Sequence, residues 1–211
     1  MSIADELRTT SAAIAREIPA LANTPLELYL HELLQWNDEL GLVSKRDALA
    51  ACTRLVRESA EFGGIAANAL ARVEPRVADV GSGGGFPGVI WRILYPDWHL
   101  VLIERREKKA AFLERVVGRL SLARIEVVAA DARDVGLLDR FARAFDLVAT
   151  KAVGEPARTA PQIEDLLADD AHFITTVPAD ADVPPRCGRR LVRVDDVHAQ
   201  FGRYARYQNR V

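Results

Sequence analysis

Ala78-Asp79-Val80-Gly81-Ser82-Gly83-Gly84-Gly85-Phe86-Pro87-Gly88 is the stretch on which the fold turns. A short apolar run, Val77-Ala78-Asp79-Val80, meets a glycine cluster, and a helix-like stretch follows to about Tyr95-Pro96. Glycines there let the chain take positive φ and let a ligand lie against the backbone. Downstream, the spacing predicts strands at Leu100–Ile103, Ile125–Val128, Phe145–Ala149 and Ala171–Val177. Between them it predicts helices at Glu107–Leu120, near Asp134–Arg143, and at Arg158–Leu167. Strands alternating with helices in this way imply βαβ units and a parallel sheet. Pro178–Pro185 reads as an exposed loop, after which Leu191–Val197 and Arg203–Val211 fit an antiparallel pair.

Upstream, the pattern to about residue 72 is helical. Leu26, Tyr29, Leu30, Leu33, Leu34 and Leu40 recur at spacings of three and four, and Pro25 can open that helix with Asn23 or Thr24 as cap. A second helical stretch runs from Ala48 to Leu70, with Gly63-Gly64 expected to break it in two. The organisation read from this is a helical N-terminal cap over residues 1–72 and an α/β domain over 73–211.

With 211 residues, 49% hydrophobic and 27% charged, the chain can build a real core, which excludes disorder and mini-protein scaffolds. Its net charge of −2 argues against a protein that coats polyanions indiscriminately. That total hides a pattern of −4 over 1–100, +3 over 101–133, −6 over 134–185 and +5 over 186–211. If a nucleic acid is bound, the two positive segments are where it should meet the protein. Lysine occurs only at 45, 108, 109 and 151, and the arginine excess fits a GC-rich genome as readily as a functional surface. Cys52 and Cys187 form no metal or redox pair, which fits a reducing compartment. The acidic N-terminus lacks a signal-peptide pattern and no apolar stretch approaches a bilayer span, so a cytoplasmic protein without membrane association is expected.

Three readings of the glycine loop compete. A phosphate-transfer loop needs Gly-Lys-Ser/Thr at its end, which is absent. A dinucleotide fingerprint can be set on Gly83, Gly85 and Gly88, but that frame starts two residues late relative to the strand. The third is the S-adenosylmethionine loop of class I methyltransferases, an acid followed by G-x-G-x-G, met by Asp79, Gly81, Gly83 and Gly85. Two further acids favour it. Glu104 ends the next strand, where a carboxylate can accept both ribose hydroxyls, and Asp131 follows the third strand, within reach of an adenine amino group. Arg105, Arg106, Lys108, Lys109, Arg115 and Arg119 then make either a solvated helix face or a phosphate-contacting edge. Lys151 ends the fourth strand, where it is a surface anchor or a substrate contact. His31, His99, His172 and His198 are scattered without metal-ligand spacing, and no couple suggests a covalent nucleophile. Methyl transfer to a ring nitrogen with a free lone pair needs neither; it needs in-line positioning and exclusion of water.

The chain resembles the RsmG (GidB) family, bacterial methyltransferases that act on guanine N7 of small-subunit ribosomal RNA. The resemblance rests on Asp79 to Gly88, which is similar to the family's D-V-G-[ST]-G-x-G-[FL]-P-G, with the Phe-Pro-Gly ending its most specific part. Leu102-Ile103-Glu104 through Lys108-Lys109-Ala110-Ala111-Phe112-Leu113 and Tyr29 to Asn37 add to it, so that it covers roughly Tyr29 to Val153. Four positions depart from the pattern. Asp131-Ala132-Arg133 stands for Arg-Ala-Glu, Lys151-Ala152 for Arg-Ala, Leu42-Val43-Ser44 for Asn-Leu-Thr, and Ile174 to Pro178 lacks the family's Lys-Gly.

The reading is a class I S-adenosylmethionine-dependent methyltransferase: an α/β, Rossmann-like doubly wound sheet with a helical N-terminal cap and a C-terminal antiparallel hairpin. The cofactor is expected at Asp79, Gly81, Ser82, Gly83, Gly85, Phe86, Pro87, Glu104, Arg105, Asp131 and Ala132. Lys151 and Arg133 are the expected catalytic residues, Lys108 and Lys109 the substrate-binding ones, and no metal is expected. The resemblance implies ribosomal RNA or the small ribosomal subunit as partner, for a monomer. Other readings are a paralogue methylating a small molecule or another target, a non-catalytic cofactor- or RNA-binding descendant, and an oxidoreductase.

Overall fold

The computed structural model describes residues 2–210. Helices α1 (Ile3–Glu17), α2 (Leu26–Leu40) and α3 (Ala48–Ala67) precede an alternating segment. That segment runs β1 (Arg76–Val80), α4 (Gly88–Leu94), β2 (His99–Ile103), α5 (Glu107–Arg119), β3 (Ile125–Val128), α6 (Val135–Phe141), β4 (Phe145–Thr150), α7 (Pro156–Ile163) and β5 (Leu167–Val177). β6 (Arg186–Cys187), β7 (Leu191–His198) and β8 (Arg203–Asn209) finish the chain. One eight-stranded sheet results, in the order β3-β2-β1-β4-β5-β8-β7-β6. β1 to β5 are parallel, and β8, β7 and β6 add antiparallel strands beyond β5. The strand order reverses direction between β1 and β4, and a ligand crevice forms at such a point, outside the carboxyl ends of the strands.

The period of two along each strand sorts the core into two faces. Leu102 of β2 joins Leu30, Leu33, Cys52 and Val56 of the N-terminal helices, while Leu147 and Ile174 meet Phe62 and Trp91 on that same side. Val101, Ile103, Val148 and Phe173 face the other way, onto α6 and α7.

Gly63-Gly64 does not break α3, contrary to the sequence expectation. A Cβ at Gly63 would lie 2.7 Å from Tyr95 Cε2 and 2.9 Å from Trp91 Nε1, so this glycine lets α3 and α4 approach closely. Trp91 Nε1–H donates to the Ser59 carbonyl at 2.8 Å in the same contact. Tertiary packing here outweighs the roughly 1 kcal/mol that glycine costs a helix. Neither Asn23 nor Thr24 caps α2: Pro25 occupies that position and the Thr24 hydroxyl donates to Leu21 O at 2.7 Å. Residues 178–185 are less exposed than expected, since Val183 is buried and Arg203 draws in the carbonyls of Ala179 and Ala181 at 2.9 and 2.8 Å.

The C-terminal hairpin completes the sheet and offers no stacking platform, because Tyr204 and Tyr207 are buried. Four arginines of the C-terminal segment are held internally. Arg203 pairs with Asp196 at 2.7 Å, Arg190 with Asp165 at 3.0 Å, Arg189 with Asp165 at 2.6 Å, and Arg206 with Asp195. The hairpin continues the sheet beyond β5, whereas α5 connects β2 and β3 at the other end. The two basic segments of the sequence therefore do not form one patch.

Candidate functional site

A cleft of about 620 Å³ opens over the carboxyl ends of β1, β2, β3 and β4. Its floor is the glycine loop. Gly81 takes φ +80, a conformation that L side chains rarely adopt. Its N–H donates to Ile103 O at 2.8 Å, which ties the loop to β2. From behind, Tyr29 Oη–H donates to Gly84 O at 2.8 Å, and Asp79 Oδ2 accepts the Gly88 N–H at 3.0 Å. The Phe86–Pro87 peptide is cis, with the Phe86 ring 5.4 Å from that of Tyr29. The loop is thus shaped from α2 and β1 before any ligand arrives.

Glu104, only 6% exposed, stands at the cleft's edge. Its Oε2 accepts the Gly83 N–H and its Oε1 the Arg106 N–H, both at 2.9 Å. Each oxygen keeps lone-pair capacity for a further donor. The arrangement suits a vicinal diol: a fixed carboxylate, already oriented, with two acceptors side by side.

Asp131 behaves differently. Its Oδ1 accepts Arg133 N–H and Nε–H at 3.0 and 2.9 Å, and its Oδ2 accepts from Arg133 Nη2 at 2.9 Å. That guanidinium holds the carboxyl down at about 2. Asp79, fully buried with Oδ1 unpartnered, is pushed by desolvation in the other direction, to about 7.

Of the residues expected from sequence, Gly81, Gly83, Glu104, Arg105, Lys109, Asp131, Ala132 and Arg133 line this one cleft. Asp79, Ser82, Gly85, Phe86 and Pro87 lie outside its lining, where Asp79 and Ser82 shape the loop: Ser82 Oγ–H donates to Asp79 O at 2.8 Å. Lys108 sits apart, its side chain 80% exposed and its Nζ 3.8 Å from Glu39. Lys109 Nζ–H donates to Gly41 O at 2.9 Å, bridging α5 to the end of α2. Lys151 does not line the cleft either. Its Nζ is 3.1 Å from Glu58 Oε2 of α3, and both side chains are nearly buried.

Arg106, expected only as part of a solvated or phosphate-contacting basic run, also lines the cleft, together with residues that the sequence reading passed over: Val153, Arg158, Thr159 and Gln162. Arg158 and Gln162 stand four apart, one face of the helix after β4, and that spacing was the available signal. Val153 is a large apolar side chain left exposed at the cleft, packed against Gly81. Its loop is tied to β5, since Ala152 N–H donates to Thr176 Oγ1 at 3.0 Å, and Thr150 and Thr175 join hydroxyls at 2.8 Å below it. Among the described residues, no group of three or more His, Cys, Asp or Glu is arranged to hold a metal ion.

Solved structures share this architecture. An S-adenosylmethionine-dependent methyltransferase from Aquifex aeolicus superposes with a TM-score of 0.53 at 12% identity, over 73% of this chain and 98% of that one. TYW2 of M. jannaschii, solved in complex with AdoMet, gives 0.53 at 14% identity, over 74% and 76%. At such identities the likeness establishes the fold, a class I methyltransferase-type α/β sheet. Sequence relatives are nearer. Proteins named ribosomal RNA small subunit methyltransferase G match at 35% identity in Polynucleobacter asymbioticus, over 63% of this chain and 59% of the relative. The one in Roseiflexus castenholzii matches at 37%, over 61% and 53%. That of Laribacter hongkongensis matches at 30%, over 82% and 79%. The chain thus spans little more than half the length of the first two. The family model described as rRNA small subunit methyltransferase G (GidB) matches residues 22–178, which takes in α2, the glycine loop, and every strand and helix lining the cleft. With that match, this chain belongs to the rRNA small subunit methyltransferase G family.

Proposed function

We propose that the protein is an S-adenosylmethionine-dependent methyltransferase acting on guanine N7 of small-subunit ribosomal RNA. The observation that carries the cofactor part is Glu104, a nearly buried carboxylate fixed by two backbone N–H groups at the edge of a cleft floored by glycine. The family match and the names of the relatives support the acceptor.

When bound, the cofactor supplies an electrophilic methyl group on a sulfonium. Glu104 accepts the ribose hydroxyls, the backbone of Gly81 and Gly83 borders the chain of the ligand, and Asp131 with Ala132 meets the adenine end, beside Arg105. Asp79, Ser82, Gly85, Phe86 and Pro87 act by holding the loop in shape. Arg133 and Lys109 line the cleft and are the expected acceptor-side residues that the geometry supports, whereas Lys108, beside Glu39, and Lys151, paired with Glu58, lie outside that lining and are assigned no contact with the acceptor. A ring nitrogen attacks with its own lone pair, so the protein's contribution is alignment and the exclusion of water, to which Val153 adds apolar surface. We place the protein in the cytoplasm as a monomer; its two buried free cysteines are in keeping with a reducing compartment.

Titration calorimetry should give S-adenosylmethionine binding and no NAD binding; the reverse overturns the cofactor assignment. Labelled methyl transfer onto small subunits lacking the modification, compared with naked RNA, tests the acceptor. A cofactor-competent protein that labels neither would be a methyltransferase of another substrate or a non-catalytic relative.

A further inference from the structure

The charges around the cleft divide into those already engaged and those left over. Glu104 and Asp131, its acids, are both engaged, one by backbone N–H groups and the other by Arg133. Lys109 is tied to a backbone carbonyl, and Lys151 to Glu58. Arg105, exposed in the lining and without an ion pair among the described residues, neighbours Asp131 and is taken by the adenine end of the cofactor. Arg106, which precedes α5, and Arg158, on α7, remain: both are exposed, both line the cleft, and neither forms an ion pair among the described residues. They belong to different connections, one following β2 and the other following β4, so they stand on separate walls of the same opening. Guanidinium groups kept free of carboxylates on two sides of a cleft suit a ligand that brings its own anions at more than one point.

From this placement we propose that Arg106 and Arg158 are a two-point phosphate clamp, in which backbone phosphates of the acceptor strand straddle the cleft mouth while the target base enters between them. The proposal rests on the RNA reading above and deepens it: it assigns docking to these two arginines and not to the basic C-terminal segment, where Arg189, Arg190, Arg203 and Arg206 are paired with carboxylates of this chain. Gln162, one turn beyond Arg158 on the same face, donates Nε2–H to the Arg158 carbonyl at 2.9 Å and leaves its side-chain oxygen for the ligand. The clamp positions; it reads no sequence, because phosphate contacts carry none.

The test uses the full chain, a short guanine-containing single-stranded RNA oligonucleotide, and binding measured across a range of potassium chloride concentrations. Each lost phosphate contact should lower the slope of log affinity against log salt by about 0.7 on a single strand. Arg106→Ala and Arg158→Ala should each take away one such step and the double variant two, with S-adenosylmethionine affinity by calorimetry unchanged. Wild-type slopes in both single variants, with RNA still bound, overturn the clamp and leave the methyltransferase reading standing. Loss of cofactor affinity in the variants also overturns it, because the arginines would then belong to the cofactor. Equal retention of poly-glutamate and RNA by the wild type would overturn the commitment to a nucleic acid, and a wild type that binds no RNA fails the acceptor reading itself.

Discussion

Glu104 and Asp79 are both acids at strand ends, separated by one βαβ step, and the fold gives them opposite tasks. Glu104 faces the cleft with its charge supported by two N–H donors. Replacing it by Gln keeps the shape but turns one acceptor into a donor against a backbone N–H. S-adenosylmethionine affinity should then fall by roughly 1–3 kcal/mol, read by calorimetry; an unchanged affinity removes Glu104 from the site. Asp79 is sealed below, where burial raises its carboxyl from 3.8 to about 7. The folded protein holds a proton there that the unfolded chain releases near pH 3.8, so this group's contribution to stability falls as pH rises from about 4 to about 7 and is level above. Asp79→Asn should lack that decline in denaturant melts taken across the range. Asp131 has the opposite sign: its contribution is present above pH 3.8 and is lost as pH falls toward about 2. These roles were partly legible in the sequence. The position of each acid at the end of an apolar run marked all three, but not which of them would be sealed under the loop. The direction of Lys151 was not legible, because it depends on Glu58, a residue of α3 remote in sequence.

Apolar runs located β2 and β3 almost to the residue; β2 is a parallel strand buried on both faces, while β3, a half-buried edge strand, was marked by its β-branched residues Ile125, Val127 and Val128. β5 begins earlier than its composition suggests. Leu167-Ala168-Asp169-Asp170 carries two aspartates that resemble a turn, yet Leu167 pairs with Phe145 across an irregularity in β4. Pairing with a neighbour, which no local pattern announces, decided the boundary. The same holds between the N-terminal helices and the glycine loop. Tyr29 looks in sequence like one more apolar position of α2, but its hydroxyl supplies the only side-chain hydrogen bond found to the Gly84 carbonyl among the described residues. Tyr29→Phe removes that donor and leaves a buried carbonyl unpaired, at a cost of roughly 1–3 kcal/mol in urea unfolding. Because the loop loses its brace, S-adenosylmethionine affinity should drop as well. Destabilisation with wild-type affinity would show that the loop keeps its shape unaided.

For the whole molecule, the near-neutral total of the sequence conceals arginines of two kinds. Segment sums located a basic stretch at 186–211 but could not tell that Arg189, Arg190, Arg203 and Arg206 in it are answered by Glu164, Asp165, Asp195 and Asp196. Replacing Arg189 and Arg190 by Ala should therefore cost stability, on the order of 1–3 kcal/mol for hydrogen bonds to charged groups. The salt dependence of RNA binding should stay at the wild-type slope; a reduced slope would return the C-terminal segment to the RNA surface. The same hairpin has a separate consequence. Without β8, β5 would be an eleven-residue edge strand presenting unpaired N–H and C=O groups and a mostly buried, apolar sequence to any other chain. In the finished sheet that hazard is gone: the outermost strands are β3, with four residues, and β6, with two. Until the last strands dock, the folding chain carries an open template for aggregation, so the segment most remote from the chemistry is the one that keeps the molecule from pairing with its own copies.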